Sequence, residues 1–311
     1  MSVIDVRAFS HHYGPIQAVD GVTFQVEPGE MFGLVGPDGA GKTTMVRAIA
    51  GLIQPAGGTV RLWDTGWEQD RVGLKARIGY LSQRFSLYGD LTVSENVDFF
   101  AAVFGVEDYR QRKAELLEWT GLAPFTGRLA DRLSGGMKQK LALVCSLIHT
   151  PDLLLLDEPT AGVDPVSRRE FWRILSELRR SGLTLLVTTP YLDEAERCTR
   201  VGFMDGGRLL RCDNPARVRA EAGRRVVEIM TDAPRDAAAY LRTRPDVSHL
   251  GLFGARVAFE YPPDQNIDAL VEALRGRAIP VTGARRVMPS LEHLFIGMMT
   301  DRGQESGVRG Q

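Results

Sequence analysis

Eight residues, Gly36-Pro37-Asp38-Gly39-Ala40-Gly41-Lys42-Thr43, have the types and spacing that bind phosphate. They fit G-x-x-x-x-G-K-[ST]. Glycines let successive backbone N–H groups curl around an anion without Cβ clashes. Lys42 adds a full charge for the outer phosphates, and Thr43 offers a hydroxyl to Mg2+. A second anion site is expected at Leu133-Ser134-Gly135-Gly136-Met137. Ser134 is a good helix N-cap, and two glycines in a first turn cost helix stability unless something approaches closely. A hydroxyl and bare N–H groups at a helix start then face outward. A third stretch, Asp152-Leu153-Leu154-Leu155-Leu156-Asp157-Glu158-Pro159, ends an apolar run in two carboxylates. Adjacent strand residues point to opposite sides, so Asp157 and Glu158 are expected to do different work. One can hold Mg2+ through water and the other can face an attacking water as base.

Each of these groups needs an element to hold it. Met31-Phe32-Gly33-Leu34-Val35 reads as a buried strand, and residues 44–52 read as a helix whose positive end points at the bound anion. Residues 2–9, 21–26 and 58–62 look like short strands of an antiparallel sheet beside it. Residues 77–83 read as a strand ending on Gln83, at the end where α/β folds bind ligands. Tyr13, in His12-Tyr13-Gly14, can stack on a purine, although a lone tyrosine is more often core or surface. Thr92 and Glu95 have capping-box spacing ahead of an apolar face of Val93, Val97, Phe100, Ala101 and Phe104. Ser167 and Glu170 have the same spacing and are expected to open the helix after the Ala161-Gly162-Val163-Asp164-Pro165 turn. Leu183-Thr184-Leu185-Leu186-Val187-Thr188-Thr189 is another buried strand, ended by Pro190, and residues 191–196 open a helix. A hairpin is expected across Asp205-Gly206-Gly207. Beyond Ala216 the pattern becomes strand, helix, strand, strand, helix, strand, followed by a last helix over 291–298. This order suggests a small ferredoxin-like sandwich.

Composition sets bounds on the rest. The chain has 311 residues, 44% hydrophobic and 25% charged, which allows one large domain and a small one. A net charge of -1 gives no basic surface for nucleic acid. Cys145, Cys198 and Cys212 show no C-x-x-C spacing and read as reduced thiols. His11 and His12 lack partners at zinc spacing. No apolar stretch reaches the roughly 18–20 residues of a spanning helix, and Met1-Ser2-Val3-Ile4-Asp5 lacks a signal pattern. Work at a membrane would need a partner.

The order of motifs resembles the ATP-binding cassette of ABC transporters over about residues 3–220. The implied fold class is α/β, a P-loop NTPase cassette with a RecA-like core, an antiparallel β subdomain and a helical subdomain, plus a small C-terminal α+β domain. The implied boundaries are 1–220 for the cassette, with its helical subdomain at 88–148, 221–300 for the accessory domain and 301–311 for a disordered tail. The resemblance implies ATP contacts from Tyr13, Gly36, Asp38, Gly39, Ala40, Gly41, Lys42, Thr43 and Thr44. Ser134, Gly135 and Gly136 fall in the signature place and serve the nucleotide of a second cassette. Thr43, Gln83 and Asp157 surround Mg2+. Glu158 is the implied base for water, with Lys42 and Gln83 as catalytic partners, and Asp164 takes the D-loop place. Leu87-Tyr88-Gly89-Asp90-Leu91-Thr92-Val93, Tyr191-Leu192-Asp193-Glu194-Ala195-Glu196 and Pro289-Ser290-Leu291-Glu292-His293-Leu294-Phe295 look like the ABC-2 exporter ATPases of daunorubicin-resistance type. Residues 36–39 and 134–140 are similar to the first cassette of twin-cassette members. The implied partners are an ABC-2 transmembrane permease and a second cassette, identical or paralogous, at the cytoplasmic face of the cell membrane. Two positions depart from the family pattern. Met137 replaces the signature glutamine, and Pro190 stands where a switch histidine follows the strand. Slow hydrolysis at this chain's own site is the expected consequence. A regulatory cassette with little hydrolysis, and a soluble cassette without a transporter, are the competing classes.

Overall fold

The computed structural model describes residues 1–83, 87–222 and 225–308. It divides into two compact units, Met1–Cys212 and Asp213–Gln311.

The first unit opens with β1 (Ile4–Tyr13) and β2 (Ile16–Val26), an antiparallel pair, and then β3 (Met31–Val35). α1 (Lys42–Ile49) leads to β4 (Gly57–Leu62), β5 (Thr65–Gly66), α2 (Arg71–Ala76) and β6 (Ile78–Leu81). α3 (Val93–Val103), α4 (Arg110–Trp119) and α5 (Gly135–Leu147) form the helical middle. β7 (Leu153–Asp157), α6 (Pro165–Arg180), β8 (Thr184–Thr189), α7 (Leu192–Ala195), β9 (Arg200–Asp205) and β10 (Arg208–Asp213) complete the alternation.

Two sheets result. The first has the order β2-β1-β4-β5, and the second the order β10-β9-β3-β8-β7-β6. β3 pairs in parallel with β8 and β9, and β7 pairs in parallel with β6 and β8. β3, β7 and β8 are buried at every residue, as strands covered on both faces must be. Phe24 of β2 stacks on Phe32 of β3 at 5.0 Å, within a core shared by the antiparallel sheet, α1 and β3.

Capping sets where the helices begin. Thr92 and Glu95 form the full capping box at α3. Val93, Val97 and Ala101 are buried on its inner face, while Phe104 falls just past its end and is exposed. The box expected at Ser167 and Glu170 does not form. Asp164 is the cap instead, accepting from the N–H groups of Val166 and Ser167, with Pro165 in the first turn. Proline fits there because its missing N–H would have had no partner. Glu170 is drawn to Lys140 of α5 at 2.7 Å.

The second unit contains α8 (Pro215–Ala222), β11 (Val226–Met230), α9 (Pro234–Leu241), β12 (Ser248–Phe253) and β13 (Arg256–Glu260). α10 (Ile267–Arg275), β14 (Gly283–Val287) and α11 (Leu291–Val308) follow. The sheet order β12-β13-β11-β14, antiparallel throughout, is that of a ferredoxin-like sandwich. Val227, Ile229, Val257 and Phe259 form its core with α9 and α10. Two boundaries differ from the sequence expectation. The division falls at Cys212–Asp213 rather than after residue 220, because α8 packs on α11 of the second unit. α11 runs on to Val308, into the stretch expected to be a disordered tail. No proline interrupts its hydrogen-bond ladder. Residues 309–311 lie outside the described residues.

Candidate functional site

β3 delivers the chain to Gly36, and the loop turns back into α1 within a few residues. A Cβ at Gly36 would stand 2.1 Å from the Met204 carbonyl oxygen, so no other residue fits between β3 and β9. Gly41 caps α1 with φ 97°, a conformation that suits glycine. Asp38 and Gly39 form the exposed tip, and Ala40 and Thr44 are buried behind it. The Ala40 carbonyl accepts from Gly207 N at 3.2 Å.

Lys42 does not reach outward. Its Nζ donates to the carbonyls of Gly36 at 2.8 Å and Pro37 at 3.0 Å, bracing the loop from inside. It also pairs with Glu158 Oε1 at 3.1 Å, with the two side chains only 3% and 9% exposed. Glu158 Oε2 accepts from Gln83 Nε2 at 3.0 Å. Thr43 Oγ1 donates to Asp157 Oδ1 at 3.1 Å, and Thr188 Oγ1 donates to the same oxygen at 2.7 Å. One loop, two acids and one glutamine thus converge at the carboxyl ends of β3, β6 and β7, where open α/β sheets bind ligands.

The two acids do face different partners, but not for the reason given by strand alternation. β7 ends at Asp157, and Glu158 lies beyond it with φ 49°. That left-handed turn, not the pleat, aims Glu158 at Lys42 while Asp157 meets Thr43. Burial pushes the Asp157 carboxyl above its ordinary range, against the Thr188 and Thr43 hydrogen bonds, and the charge of Glu158 adds to the rise. A nearby cation would reverse that rise.

The oxygens of Thr43 and Asp157 are hard donors on adjacent elements, and this donor set suits Mg2+. Mg2+ characteristically takes one or two carboxylates and fills its remaining positions with phosphate oxygens and water. Among the described residues no cluster of three or more His, Cys, Asp or Glu forms a self-sufficient metal site. The Gln83 side chain is hydrogen-bonded to Glu158, and the Thr43–Asp157 pair is a separate contact.

Tyr13 is 44% exposed, with its ring edge-on to His11 at 4.7 Å. It faces Ile16 across the β1–β2 turn. Two residues further on, the Ala18 carbonyl oxygen would lie 2.6 Å from a Cβ on Gly41. The hairpin tip that carries Tyr13 therefore stands beside the loop.

Ser134, Gly135 and Gly136 start α5. Ser134 accepts from Met137 N at 3.3 Å. The two glycines differ. A Cβ on Gly135 would meet nothing within 4 Å, whereas one on Gly136 would stand 2.5 Å from Ser167 Cβ and Oγ. Gly136 serves packing against α6, and Ser134 and Gly135 present the exposed helix start. α5 packs on β6, which β8 and β7 separate from β3.

Sequence reasoning missed two residues of this neighbourhood. The sequence marks Thr188 only as strand, yet it is the register partner of Asp157 and also accepts from Glu158 N at 2.9 Å. Its position at the end of a strand beside the acidic one was the available signal. The sequence places Glu194 in a helix start, and the structure buries it. No periodicity marks it.

The described helices include none long and apolar enough to cross a membrane. Residues 19–161 match the family model described as ABC transporter. The chain is 40% identical over 223 residues to the probable multidrug ABC transporter ATP-binding protein YbhF of Escherichia coli strain K12, covering 71% of this chain and 39% of that protein. It thus spans well under half of that relative's length. It is 40% identical over 259 residues to the Nod factor export ATP-binding protein I of Paraburkholderia xenovorans strain LB400, covering 81% of this chain and 85% of that one. A bacterial ABC transporter cassette solved as a dimer superposes with a TM-score of 0.62 at 26% identity, covering 68% of this chain and 98% of that one.

Proposed function

The chain belongs to the ATP-binding proteins of ABC transporters, and on that premise we propose that it binds and hydrolyses ATP as the cytoplasmic-face subunit of an ABC-2 exporter. The observation that carries this reading is the meeting of Lys42, Glu158 and Gln83 over the phosphate loop. In this role the loop N–H groups of residues 36–44 and the positive end of α1 hold the phosphates. Tyr13 stacks on the adenine. Thr43 and Asp157 would hold Mg2+, which would supply neutralisation of the phosphate charge. Glu158 takes a proton from the attacking water, Gln83 orients that water, and ADP and phosphate leave. The test is release of phosphate from ATP by the purified chain, with and without Mg2+.

Two cassettes are needed for a complete site. Exposed Ser134 and Gly135 offer a second anion-binding helix start for the nucleotide of a partner, identical or paralogous. The dimeric form of the similar cassette supports this reading. Gly135→Ala is expected to leave the melting temperature unchanged, because its Cβ enters open space, but to prevent ATP-dependent dimerisation. Gly136→Ala is expected to destabilise the fold by about 1–3 kcal/mol through overpacking on Ser167. Thermal melts and sedimentation with ATP separate the two. The closed dimer would pass its motion to an ABC-2 permease, consistent with the multidrug transport and the Nod factor export named for the two relatives.

This chain's own site is expected to turn over slowly. Pro190 follows β8 directly and offers neither a side-chain donor nor an N–H. Pro190→His is expected to raise single-turnover hydrolysis by about tenfold or more. Equal rates for the two forms would remove the slow-site reading.

A further inference from the structure

Glu158 holds a backbone conformation that few side chains keep. Its φ of 49° is left-handed, and a non-glycine residue stays there only where its surroundings over-determine it. Pro159 follows, and proline favours extended backbone at the residue before it. Besides the backbone bond from Glu158 N to the Thr188 carbonyl at 3.2 Å, three contacts hold the turn. Glu158 N donates to Thr188 Oγ1 at 2.9 Å, Ala161 N donates to the Glu158 carbonyl at 3.1 Å, and Thr160 Oγ1 donates to Glu194 Oε1 at 2.7 Å.

The third contact involves a carboxylate that the phosphate site does not use. Glu194 lies on α7 and is 1% exposed. Its other oxygen, Oε2, accepts from Thr189 Oγ1 at 2.5 Å, and Thr189 Oγ1 accepts in turn from Tyr191 N at 3.0 Å. Arg168 of α6 brings Nε to 3.5 Å from Glu194 Oε1 and lies over the Tyr191 ring at 4.3 Å. One buried carboxylate therefore ties the turn after β7 to the end of β8. Pro190, at that strand end, has no N–H with which the backbone could make the same tie.

We propose that Glu194 is a positioning residue for hydrolysis. Its carboxylate holds Thr160 and Thr189 together and so keeps Glu158 aimed at the phosphate loop. A carboxylate suits the task because each of its two oxygens can take one of the two hydroxyl hydrogen bonds. The inference rests on the reading of the chain as an ATPase.

Steady-state hydrolysis, ATP affinity and melting temperature of the full chain test it in wild type, Glu194→Ala, Glu194→Gln and Thr160→Val. Glu194→Ala is expected to lower kcat about tenfold to hundredfold, as a small misplacement of a reacting group does. KM and ATP affinity stay within about twofold, the sign of a contact that matters only in the transition state. Glu194→Gln keeps both hydroxyls, one by accepting and one by donating, and returns kcat to within about threefold of wild type. Thr160→Val is close in shape, removes only one bridge, and carries the test if Glu194→Ala does not fold. An unchanged kcat in folded Glu194→Ala or Thr160→Val overturns the proposal. So does a loss of kcat that comes only with equal losses of affinity and melting temperature. A wild-type chain that binds ATP but never releases phosphate, alone or with a companion cassette, is a separate result. It overturns the ATPase reading and this inference with it.

Discussion

Glu158→Gln lowers the rate of phosphate release by about a hundredfold to a thousandfold, the usual worth of a positioned general base. ATP binding survives. The reason is in the contacts. Glutamine retains a polar head to face Lys42 and Gln83, and Lys42 keeps its bonds to the Gly36 and Pro37 carbonyls at 2.8 and 3.0 Å. The loop therefore stays braced while the proton acceptor is gone. Asp157 cannot substitute, because its bonded oxygen is taken up by Thr43 and Thr188 and it stands on the strand rather than on the left-handed turn. Phosphate release at saturating ATP, with ATP affinity measured in parallel, checks this. A rate within threefold or so of wild type would move the base elsewhere.

Lys42→Ala weakens ATP binding by roughly tenfold to a hundredfold, the worth of one charge-assisted hydrogen bond of about 1.5–3 kcal/mol. It also destabilises the chain before any nucleotide is added. Glu158 is 9% exposed and Lys42 3%, so removing the lysine leaves a buried carboxylate without its cation. Breaking a buried pair from one side costs about 3–5 kcal/mol. Glu158→Gln added to Lys42→Ala is expected to recover most of that stability and none of the affinity, because the neutral amide no longer needs a counterion. Thermal unfolding of the single and double variants, set against their ATP titrations, separates the two effects. If the double variant melts no higher than Lys42→Ala, the pair is not what stabilises the loop.

The parts of this fold legible in the sequence were those set by local rules. The phosphate loop followed from glycine and lysine spacing, and α3 from the Thr92–Glu95 box. The ferredoxin-like unit followed from the order of its elements. What was hidden depended on contacts between distant segments. The left-handed turn at Glu158 has no local signal, since Glu-Pro favours extended backbone, and it exists because Thr188 and Glu194 hold it. Asp164 outcompeted Ser167 as a cap because Pro165 fixes the first helical position one turn earlier than the Ser–Glu spacing suggested. Gly135 and Gly136 read alike in sequence, and only the approach of Ser167 tells them apart. Glu194 stands in an Asp-Glu-Ala-Glu run that the sequence marks only as a helix start, yet two threonine hydroxyls and Arg168 keep it inside.

The central claim is that nucleotide is held between the phosphate loop of one cassette and the Ser134–Gly135 helix start of another. Sedimentation of the Glu158→Gln chain with and without Mg-ATP tests it most directly, because the bound nucleotide then persists. The expected result is a shift from the 34.3 kDa chain to twice that mass, alone or with a companion cassette, which Mg2+ removal or Gly135→Ala abolishes. A chain that stays monomeric at saturating Mg-ATP, with and without that companion, contradicts the claim.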